Sequence, residues 1–269
     1  MKIHQNKTFV LTGVSSGVGA ATVDLLKSEG ARIIGLDLKE PTSTVDRFVQ
    51  CDLTHPDLID EAVSRIDETV HGLVNIAGVP GSLPVDVVAK VNFLALRKLT
   101  EALLPRIADF GAVVNIASTA GQQWRTRVPT CKKVILAEGW DAGLAAFLDV
   151  GLDSVAAYDF SKELVILYSQ LVSSRERHRG VRVNTISPGA VQTPILKTFY
   201  ETMGADLLDN LRNHAGGRDA KPSEIAGPVS LLLSPESLWV NGADLIADGG
   251  AEVLMNLEAD AVPAKPLQY

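Results

Sequence analysis

Residues 7–37 read KTFVLTGVSSGVGAATVDLLKSEGARIIGLD, and this stretch decides the fold. Apolar residues dominate 7–12 and 32–37, so each segment predicts a short buried strand, and the second strand ends in the acid Asp37. Between them, residues 17–29 have the apolar spacing of a helix that follows a glycine-rich turn. A strand, a helix and a second strand in this order predict the unit from which parallel sheets are built.

The rest of the chain continues this alternation. Further strands are predicted at 48–51, 72–75, 112–117, 181–186 and 244–247, and further helices at 85–107, 158–178 and 223–233. Residues 1–269 therefore predict one α/β domain, a doubly wound parallel sheet with helices on both faces. Residues 256–269 contain two prolines and little periodicity, and we expect them to drape over the fold or over a neighbouring subunit.

The composition indicates small-molecule partners. Lys and Arg total 25 against 32 Asp and Glu, which gives a formal net charge of -7 and argues against nucleic acid or an anionic membrane as a partner. Cys51 and Cys131 lack CxxC spacing and the chain begins without a signal-peptide pattern, so a cytoplasmic location is predicted. No apolar run reaches the ~18 residues of a membrane span. The five histidines show no metal-ligand spacing, so we expect no metal.

A nucleotide site is predicted at the turn Thr12-Gly13-Val14-Ser15-Ser16-Gly17-Val18-Gly19. Its glycines allow close approach, and the bare amides at the start of the following helix attract a pyrophosphate. The spacing differs from the commoner GxGxxG pattern, so the turn by itself is weak evidence. Asp37, about twenty residues further on, can hydrogen-bond an adenosine ribose hydroxyl and would repel a 2′-phosphate, which favours NAD over NADP. Lys39 is the nearby cation that opposes this preference.

Tyr158 and Lys162 predict an acid/base catalyst. On a helix, residues four positions apart share one face, so the ammonium group can lie beside the phenol and stabilise its ionised form. A free tyrosine has a pKa of about 10, and lowering it to roughly 7 takes about 4 kcal/mol. A cation ~4 Å away supplies that much at an effective dielectric constant of ~20. We therefore expect Lys162 to lower the pKa of Tyr158.

These motifs, with others in the same order, resemble the short-chain dehydrogenase/reductase family from about residue 7 to residue 250. The glycine turn resembles the family's TGxxxGxG motif, and Asn75-Ile76-Ala77-Gly78 resembles its NNAG motif with Ile76 replacing an asparagine. Asp52 and Leu53 match the pair that contacts adenine. The segment Pro188-Gly189-Ala190-Val191-Gln192-Thr193 matches the one that holds the nicotinamide carboxamide. The resemblance implies a Rossmann-like fold, an NAD cofactor and hydride transfer.

The resemblance also implies the site residues and their roles. Tyr158 exchanges the hydroxyl proton, and Ser118 hydrogen-bonds the same substrate oxygen. Lys162 lowers the tyrosine pKa and holds a ribose hydroxyl, and Asn92 keeps a water in the proton relay. The implied catalytic residues are Asn92, Ser118, Tyr158 and Lys162. The implied cofactor-binding residues are Gly13, Ser15, Ser16, Gly17, Val18, Gly19, Asp37, Asp52, Leu53, Asn75, Ala77, Gly78, Tyr158, Lys162, Pro188, Gly189, Val191 and Thr193.

The chain departs from the family pattern between Ser118 and Tyr158, which lie 40 positions apart. The family usually needs far fewer residues there, so we interpret residues 122–155 as an insert beside the active site. Apolar residues over 134–148 predict amphipathic helix within it. Its aromatic side chains are expected to shape an apolar pocket or to pack against a second subunit; they are Trp124, Trp140 and Phe147.

Insertions of this kind resemble those of coniferyl alcohol dehydrogenase and of bacterial 3α-hydroxysteroid dehydrogenases. The resemblance implies an enzyme that interconverts a hydrophobic alcohol and its aldehyde or ketone. Our first hypothesis is an aromatic allylic alcohol of the coniferyl type, and the alternative is a 3α-hydroxysteroid dehydrogenase or carbonyl reductase. Residues 194–216 include Phe199, Tyr200 and Leu207, a composition suited to a lid over an apolar substrate or to an ordinary amphipathic helix pair.

Many family members pair through the helices that carry Tyr158 and Asn92, so the resemblance implies a homodimer first and a homotetramer second. A non-catalytic dinucleotide-binding regulator is a further alternative, which the intact catalytic residues disfavour. Enoyl reductases have a wider Tyr-to-Lys spacing than the three intervening residues found here. Sugar epimerases have a larger C-terminal domain, for which the residues after Gly189 leave little room.

Overall fold

Seven parallel strands form the sheet of the computed structural model, which describes residues 2–259. In chain order they are β1 (Thr8–Thr12), β2 (Arg32–Asp37), β3 (Arg47–Gln50), β4 (Val70–Asn75), β5 (Ile107–Ile116), β6 (Arg182–Pro188) and β7 (Asp244–Ala247). Their spatial order is β3-β2-β1-β4-β5-β6-β7, so the direction in which the sheet grows reverses between β1 and β4. In open parallel sheets, ligands bind in the crevice that such a reversal leaves at the carboxyl ends of the strands.

Helices cover both faces of this sheet. They are α1 (Gly17–Ser28), α2 (Pro56–Ser64), α3 (Val85–Ala89), α4 (Ala95–Leu103), α5 (Val128–Ile135), α6 (Gly139–Leu148), α7 (Ser154–Glu176), α8 (Leu196–Met203), α9 (Ala205–His214), α10 (Pro222–Leu233) and α11 (Ala251–Ala259). Leu26 of α1 and Val229 of α10 belong to the core on one face, whereas Leu99 of α4 and Leu164 of α7 belong to the core on the other. The predicted fold, one domain with a doubly wound parallel sheet, is confirmed.

The observed elements differ from the predicted ones mainly at their ends. Strands β2 and β7 have the predicted bounds, whereas β5 begins at Ile107, earlier than predicted. The helix predicted over 85–107 is interrupted by a π-helical turn, Lys90–Leu94, between α3 and α4. Such turns frequently lie at functional sites, and this one carries Asn92. The first residues of segment 256–269 continue α11, and residues 260–269 lie outside the described residues.

The insert forms two helices instead of one. A 3₁₀ segment, Thr119–Arg127, leads into α5, and α6 begins only after a break at residues 136–138. Helix was predicted over 134–148, and α6 and the end of α5 lie in that range, but residues 136–138 interrupt it although the apolar pattern runs on across the break. Phe147 of α6 is buried against Phe160 of α7, with ring centroids 5.3 Å apart. The insert thus lies against the helix that carries Tyr158.

A buried arginine on α4 stabilises the break between α5 and α6. The Arg97 guanidinium donates hydrogen bonds to the carbonyl oxygens of Val134, Ile135 and Ala137 at 3.1, 3.2 and 3.0 Å, and also to that of Gly139. The last carbonyls of a helix have no partner within the helix, and a cation at this end also interacts favourably with the helix dipole. Arg97 therefore fixes where α5 ends.

Candidate active site

A cavity of about 1190 Å³ opens at the carboxyl ends of the strands, where the sheet order reverses. The segments that follow β1 to β6 form most of its walls. It brings together most of the residues predicted from the sequence: Gly13, Ser15, Ser16, Gly17, Val18, Gly19, Asp37, Asp52, Leu53, Ala77, Gly78, Ser118, Tyr158, Lys162, Pro188, Gly189, Val191 and Thr193.

The glycine turn at one end of the cavity has no room for side chains. A Cβ atom on Gly13, whose φ is +73°, would lie 2.8 Å from the backbone nitrogen of Ala77, and one on Gly19 would lie 1.8 Å from the Gly13 carbonyl oxygen. Ser16, at the start of α1, makes no side-chain capping bond, and the first turn contains no acid. The helix amides are thus directed at the cavity without a competing anion, which fits a pyrophosphate.

Asp37 is held rigidly at the end of β2. Its Oδ2 accepts a hydrogen bond from the backbone N–H of Ser15 at 2.9 Å, and its Oδ1 accepts one from the backbone N–H of Lys39 at 3.1 Å. The carboxylate is therefore tied to the glycine turn, as a contact to the adenosine ribose requires. Lys39 makes this bond to Asp37 with its backbone N–H and not with its ammonium group.

Asp52 lies in the same wall, after β3. Its Oδ1 accepts hydrogen bonds from the backbone N–H and the hydroxyl of Thr54, at 2.9 and 2.7 Å. Burial acts to raise the pKa of this carboxyl, but the two bonds from Thr54 and the neighbouring His55 lower it overall. The side chain is thus fixed, and it orients the loop beside Leu53.

Asn75 does not line this cavity. Its side chain is buried, and its Nδ2 donates to Thr100 Oγ1 at 3.0 Å and to Asn115 Oδ1 at 2.7 Å. It therefore joins β4 to α4 and β5 beneath the cavity wall, and the prediction that it contacts the cofactor is not supported by its position. The turn after β4 is held by Thr12, whose Oγ1 accepts the backbone N–H groups of Ile76 and Ala77.

Asn92 also lies behind the wall, and its side-chain amide makes three hydrogen bonds. Its Oδ1 accepts the backbone N–H of Val79 at 2.8 Å, and its Nδ2 donates to Val79 O at 3.0 Å and to Ser161 Oγ at 3.2 Å. Both amide hydrogens are used, whereas Oδ1 keeps a second lone pair. Asn92 ties the π-helical turn to the loop after β4 and to α7, and its role in a water relay remains a prediction.

Ser118, Tyr158 and Lys162 meet in the centre of the cavity. Ser118 begins the 3₁₀ segment, and its Oγ accepts the backbone N–H of Ala120 at 3.2 Å. The ammonium of Lys162 lies 5.6 Å from the ring centroid of Tyr158 and donates to the carbonyl oxygen of Ile116 at 3.1 Å. The predicted shared face of α7 is therefore present, and the lysine is anchored to the end of β5.

The protein on its own gives Tyr158 a high pKa. Burial raises the pKa of Tyr158 to about 12, the hydrogen bond with Ser118 partly opposes this, and the charge of Asp159 adds to it. Burial also lowers the pKa of Lys162 to about 8. The prediction of a lowered tyrosine pKa is wrong for the protein alone. Burial removes water from the phenolate, and the ammonium is directed towards Ile116.

The other end of the cavity is largely apolar. Phe199 of α8 stacks on the ring of Tyr158, with centroids 5.2 Å apart and planes tilted by 59°. Residues 194–216 form helices α8 and α9, and Leu207 and Leu208 from α9 also line the cavity. This segment therefore contacts Tyr158 through Phe199, and its role as a lid remains a prediction. Leu83, which the sequence did not single out, lines the cavity as well.

The insert contributes polar residues to the cavity. Gln122 and Gln123 line it, whereas the aromatic residues predicted to shape it do not: they are Trp124, Trp140 and Phe147, which pack against the core on the α4 and α7 face. Sequence reasoning also missed Asp159, which lines the cavity next to Tyr158. The sequence feature that could have indicated Asp159 is a charged residue between Tyr158 and Lys162.

Within residues 2–259, no His, Cys, Asp and Glu side chains cluster in a way that could hold a metal ion. No helix in that range has the length and apolar character needed to cross a membrane.

Comparisons with known proteins agree with this geometry. A family model described as short chain dehydrogenase matches residues 7–130, and one described as Enoyl-(Acyl carrier protein) reductase matches residues 145–252. Coniferyl-alcohol dehydrogenase of Pseudomonas sp. (strain HR199 / DSM 7063) is 41% identical over 246 residues, which is 91% of this chain and 96% of that protein.

Two further similar proteins have names that describe action on steroids. The 3-alpha-hydroxysteroid dehydrogenase/carbonyl reductase of Comamonas testosteroni is 29% identical over 258 residues, with 91% of this chain and 96% of that protein covered. The crystal structure of the 3-alpha-hydroxysteroid dehydrogenase from Pseudomonas sp. B-0831 complexed with NADH has a TM-score of 0.79 and 28% identity. It covers 94% of this chain and 99% of that one.

Proposed function

The chain belongs to the short-chain dehydrogenase/reductase family, and from this premise we propose that it is an NAD-dependent alcohol dehydrogenase acting on a hydrophobic alcohol. The observation that carries the proposal is one cavity that is lined by the glycine turn, by Tyr158, Ser118 and Lys162, and by apolar side chains such as Phe199 and Leu208. The substrate we propose is an aromatic allylic alcohol of the coniferyl type. The 41% identity to a coniferyl-alcohol dehydrogenase supports this choice.

In the oxidative direction, the phenolate oxygen of Tyr158 accepts the proton of the substrate hydroxyl, and in the reductive direction the neutral phenol returns a proton to the substrate oxygen. Ser118 donates a hydrogen bond to the same substrate oxygen and holds it against the tyrosine. Lys162 supplies the positive charge that favours the phenolate, and Phe199 excludes water from the tyrosine ring. Asn92 acts indirectly, because it fixes the backbone around the lysine.

We propose NAD as the cofactor because the chain's own residues fit a dinucleotide. The amides at the start of α1 would hold the pyrophosphate, Asp37 the adenosine ribose, and residues 188–193 the nicotinamide carboxamide. When bound, the oxidised nicotinamide would supply the hydride acceptor and a positive charge. A 2′-phosphate would face the carboxylate of Asp37, which favours NAD over NADP. The relative of known structure was crystallised with NADH.

We further propose a homodimer in the cytoplasm. Helices α5 and α6 cover the surfaces of α4 and α7 through which many family members pair. A different face must therefore form the dimer interface. The β7 end of the sheet exposes apolar side chains, among them Leu238, Trp239 and Ile246, and Trp239 is fully exposed. Both cysteines are buried and free, which suits a reducing compartment.

The deciding experiment is a substrate panel followed at the nicotinamide absorbance with NAD and with NADP. Coniferyl alcohol and cinnamyl alcohol are expected to react faster than small secondary alcohols, and NAD to outperform NADP. Faster oxidation of 3α-hydroxysteroids would favour the alternative activity, which the steroid-dehydrogenase relatives support. Dinucleotide binding without turnover of any alcohol or carbonyl would indicate a regulator.

A further inference from the structure

Helices α8 and α9 place Phe199 against Tyr158, yet they bury few of their own side chains. The ring centroids of Phe199 and Tyr158 lie 5.2 Å apart. None of the side chains of α8 that the structure describes is buried, and Leu208 is the buried residue of α9. Most helices in proteins are held in place by the packing of an apolar face. Polar contacts are therefore needed to fix the position of Phe199.

Arg212 of α9 makes such contacts. Its Nε and Nη2 donate to the two carboxylate oxygens of Asp219, at 3.2 and 2.9 Å. Its Nη2 also donates to the hydroxyl oxygen of Tyr200, the residue after Phe199, and its guanidinium lies 5.4 Å from the centroid of the Tyr200 ring. Two parallel bonds to one carboxylate fix the orientation of a guanidinium as well as its distance. Arg212 therefore joins α8 to Asp219.

Asp219 is itself fixed to the segment that follows β6. Its side chain is 9% exposed, against 33% for that of Arg212. The next residue, Ala220, donates its backbone N–H to the carbonyl oxygen of Ala190 at 2.9 Å, and its own carbonyl oxygen accepts the backbone N–H of Gln192 at 2.8 Å. These bonds tie Asp219 to the segment that we propose to hold the nicotinamide.

The other carboxylate beside Arg212 provides no comparable anchor. Asp209 accepts the Tyr200 hydroxyl at 3.3 Å and Nη1 of Arg212 at 3.4 Å, but it lies on α9 and is 55% exposed. Its bonds join α8 to α9 and do not reach the sheet. Between α9 and Asp219 the chain passes through two glycines with positive φ, residues 216–217, which give the backbone little stiffness. The pair of Arg212 with Asp219 bridges this flexible connection.

We propose that Arg212 is a positioning residue that holds Phe199 on the ring of Tyr158. It does so by joining Tyr200, the neighbour of Phe199 on α8, to Asp219. This role deepens the proposed function and rests on it for the part that Tyr158 takes in the reaction. With the Arg212 contacts intact, Phe199 keeps water from the tyrosine ring and limits the space beside it. Without them, α8 is free to move and the ring of Tyr158 becomes more exposed.

Nitration of the full chain by tetranitromethane, followed by peptide mass spectrometry, tests this without turnover. Tyr158 is 8% exposed and should react slowly in the unchanged protein. Arg212→Met should speed nitration of Tyr158 at least about threefold, a modest factor because an ion pair that is partly open to water is worth little. Tyr168 lies on the same helix α7, is 3% exposed and packs on Phe93. Its rate should not change, whereas general damage to the fold would raise both rates.

Two further variants complete the comparison. Phe199→Ala removes the ring that lies on Tyr158 and should raise its nitration rate at least as much as Arg212→Met does. In the double variant the two effects should not add, because both changes remove the same contact. Arg179→Met is the matched control, since it removes an arginine that is 24% exposed and is paired with Asp109 at 3.1 Å near the amino end of β5. It should leave Tyr158 unchanged.

Three nitration results would overturn the assignment: an unchanged rate for Tyr158 in Arg212→Met, equal increases for Tyr158 and Tyr168, or additive effects in the double variant. If Arg212→Met does not fold, Asp219→Asn breaks the same pair and decides the question.

In turnover, Arg212→Met should raise KM for the aromatic alcohol by a similar factor and leave NAD affinity nearly unchanged. Faster nitration of Tyr158 with no change in KM or kcat would show that Arg212 has no part in the reaction. Failure of the proposed function has a different signature, which is no turnover of any aromatic alcohol in the substrate panel even though nitration responds as expected.

Discussion

Replacing Lys162 by Met should make the protein more stable at neutral pH while it abolishes turnover. The fold lowers the pKa of this lysine from 10.5 to about 8 by burial, and a difference of about 2.5 pKa units corresponds to about 3 kcal/mol. Methionine has no charge to bury but loses the hydrogen bond to the Ile116 carbonyl, which offsets about 1–2 kcal/mol. The expected net gain in the free energy of unfolding at pH 7 is about 1–2 kcal/mol.

The sign of the pH dependence follows from the same pKa. A base whose pKa is lowered by folding destabilises the fold fully below its folded pKa of about 8, and this cost disappears as pH rises towards the unfolded value of 10.5. The advantage of Lys162→Met should therefore shrink by about 2 kcal/mol between pH 7 and pH 10.

Urea denaturation of both proteins without cofactor at several pH values measures this difference. Lys98→Met, which removes a partly buried lysine paired with Asp60 at 2.8 Å, is the control and should show no such pH dependence. If Lys162→Met is less stable than the unchanged protein at pH 7, or if the difference does not vary with pH, the buried ammonium is not costly and the reasoning fails.

The remaining predictions concern catalysis, cofactor choice and the insert. Tyr158→Phe should lower kcat by at least about a hundredfold and leave NAD affinity nearly unchanged in a binding titration; substantial residual turnover would mean that another acid does the chemistry. Asp37→Ala should narrow the preference for NAD over NADP in kcat/KM by about tenfold or more, because it removes a like charge facing the 2′-phosphate; a native preference for NADP would contradict the assignment of β2. Arg97→Met should cost about 3 kcal/mol or more in urea denaturation, since several charged hydrogen bonds to carbonyls are lost, with hydrogen-exchange protection lost first in α5 and α6; a cost no larger than that of Lys98→Met would show that α5 ends there without help from Arg97.

The sequence by itself determined the architecture and named most of the predicted site residues that line the cavity. Strand β2 has the bounds that its apolar run predicted, because a strand buried on both faces leaves a continuous apolar signal in the chain. The glycine turn and Asp37 were likewise predictable. A short segment of sequence is enough to show that a glycine is needed where two parts of the backbone approach closely, and that an acid ends a strand.

The tertiary structure alone decided which groups are buried away from water and which faces of the helices are packed against other elements. Asn75 lies beneath the cavity and not in it, because its amide nitrogen donates to β5 and α4, whose residues are distant in sequence. The break between α5 and α6 depends on Arg97, which no periodicity within the insert reveals. The pKa of Tyr158 rises instead of falling because desolvation depends on every element packed around α7. Helical spacing places a lysine near a tyrosine, but only the packed fold determines how much water remains between them.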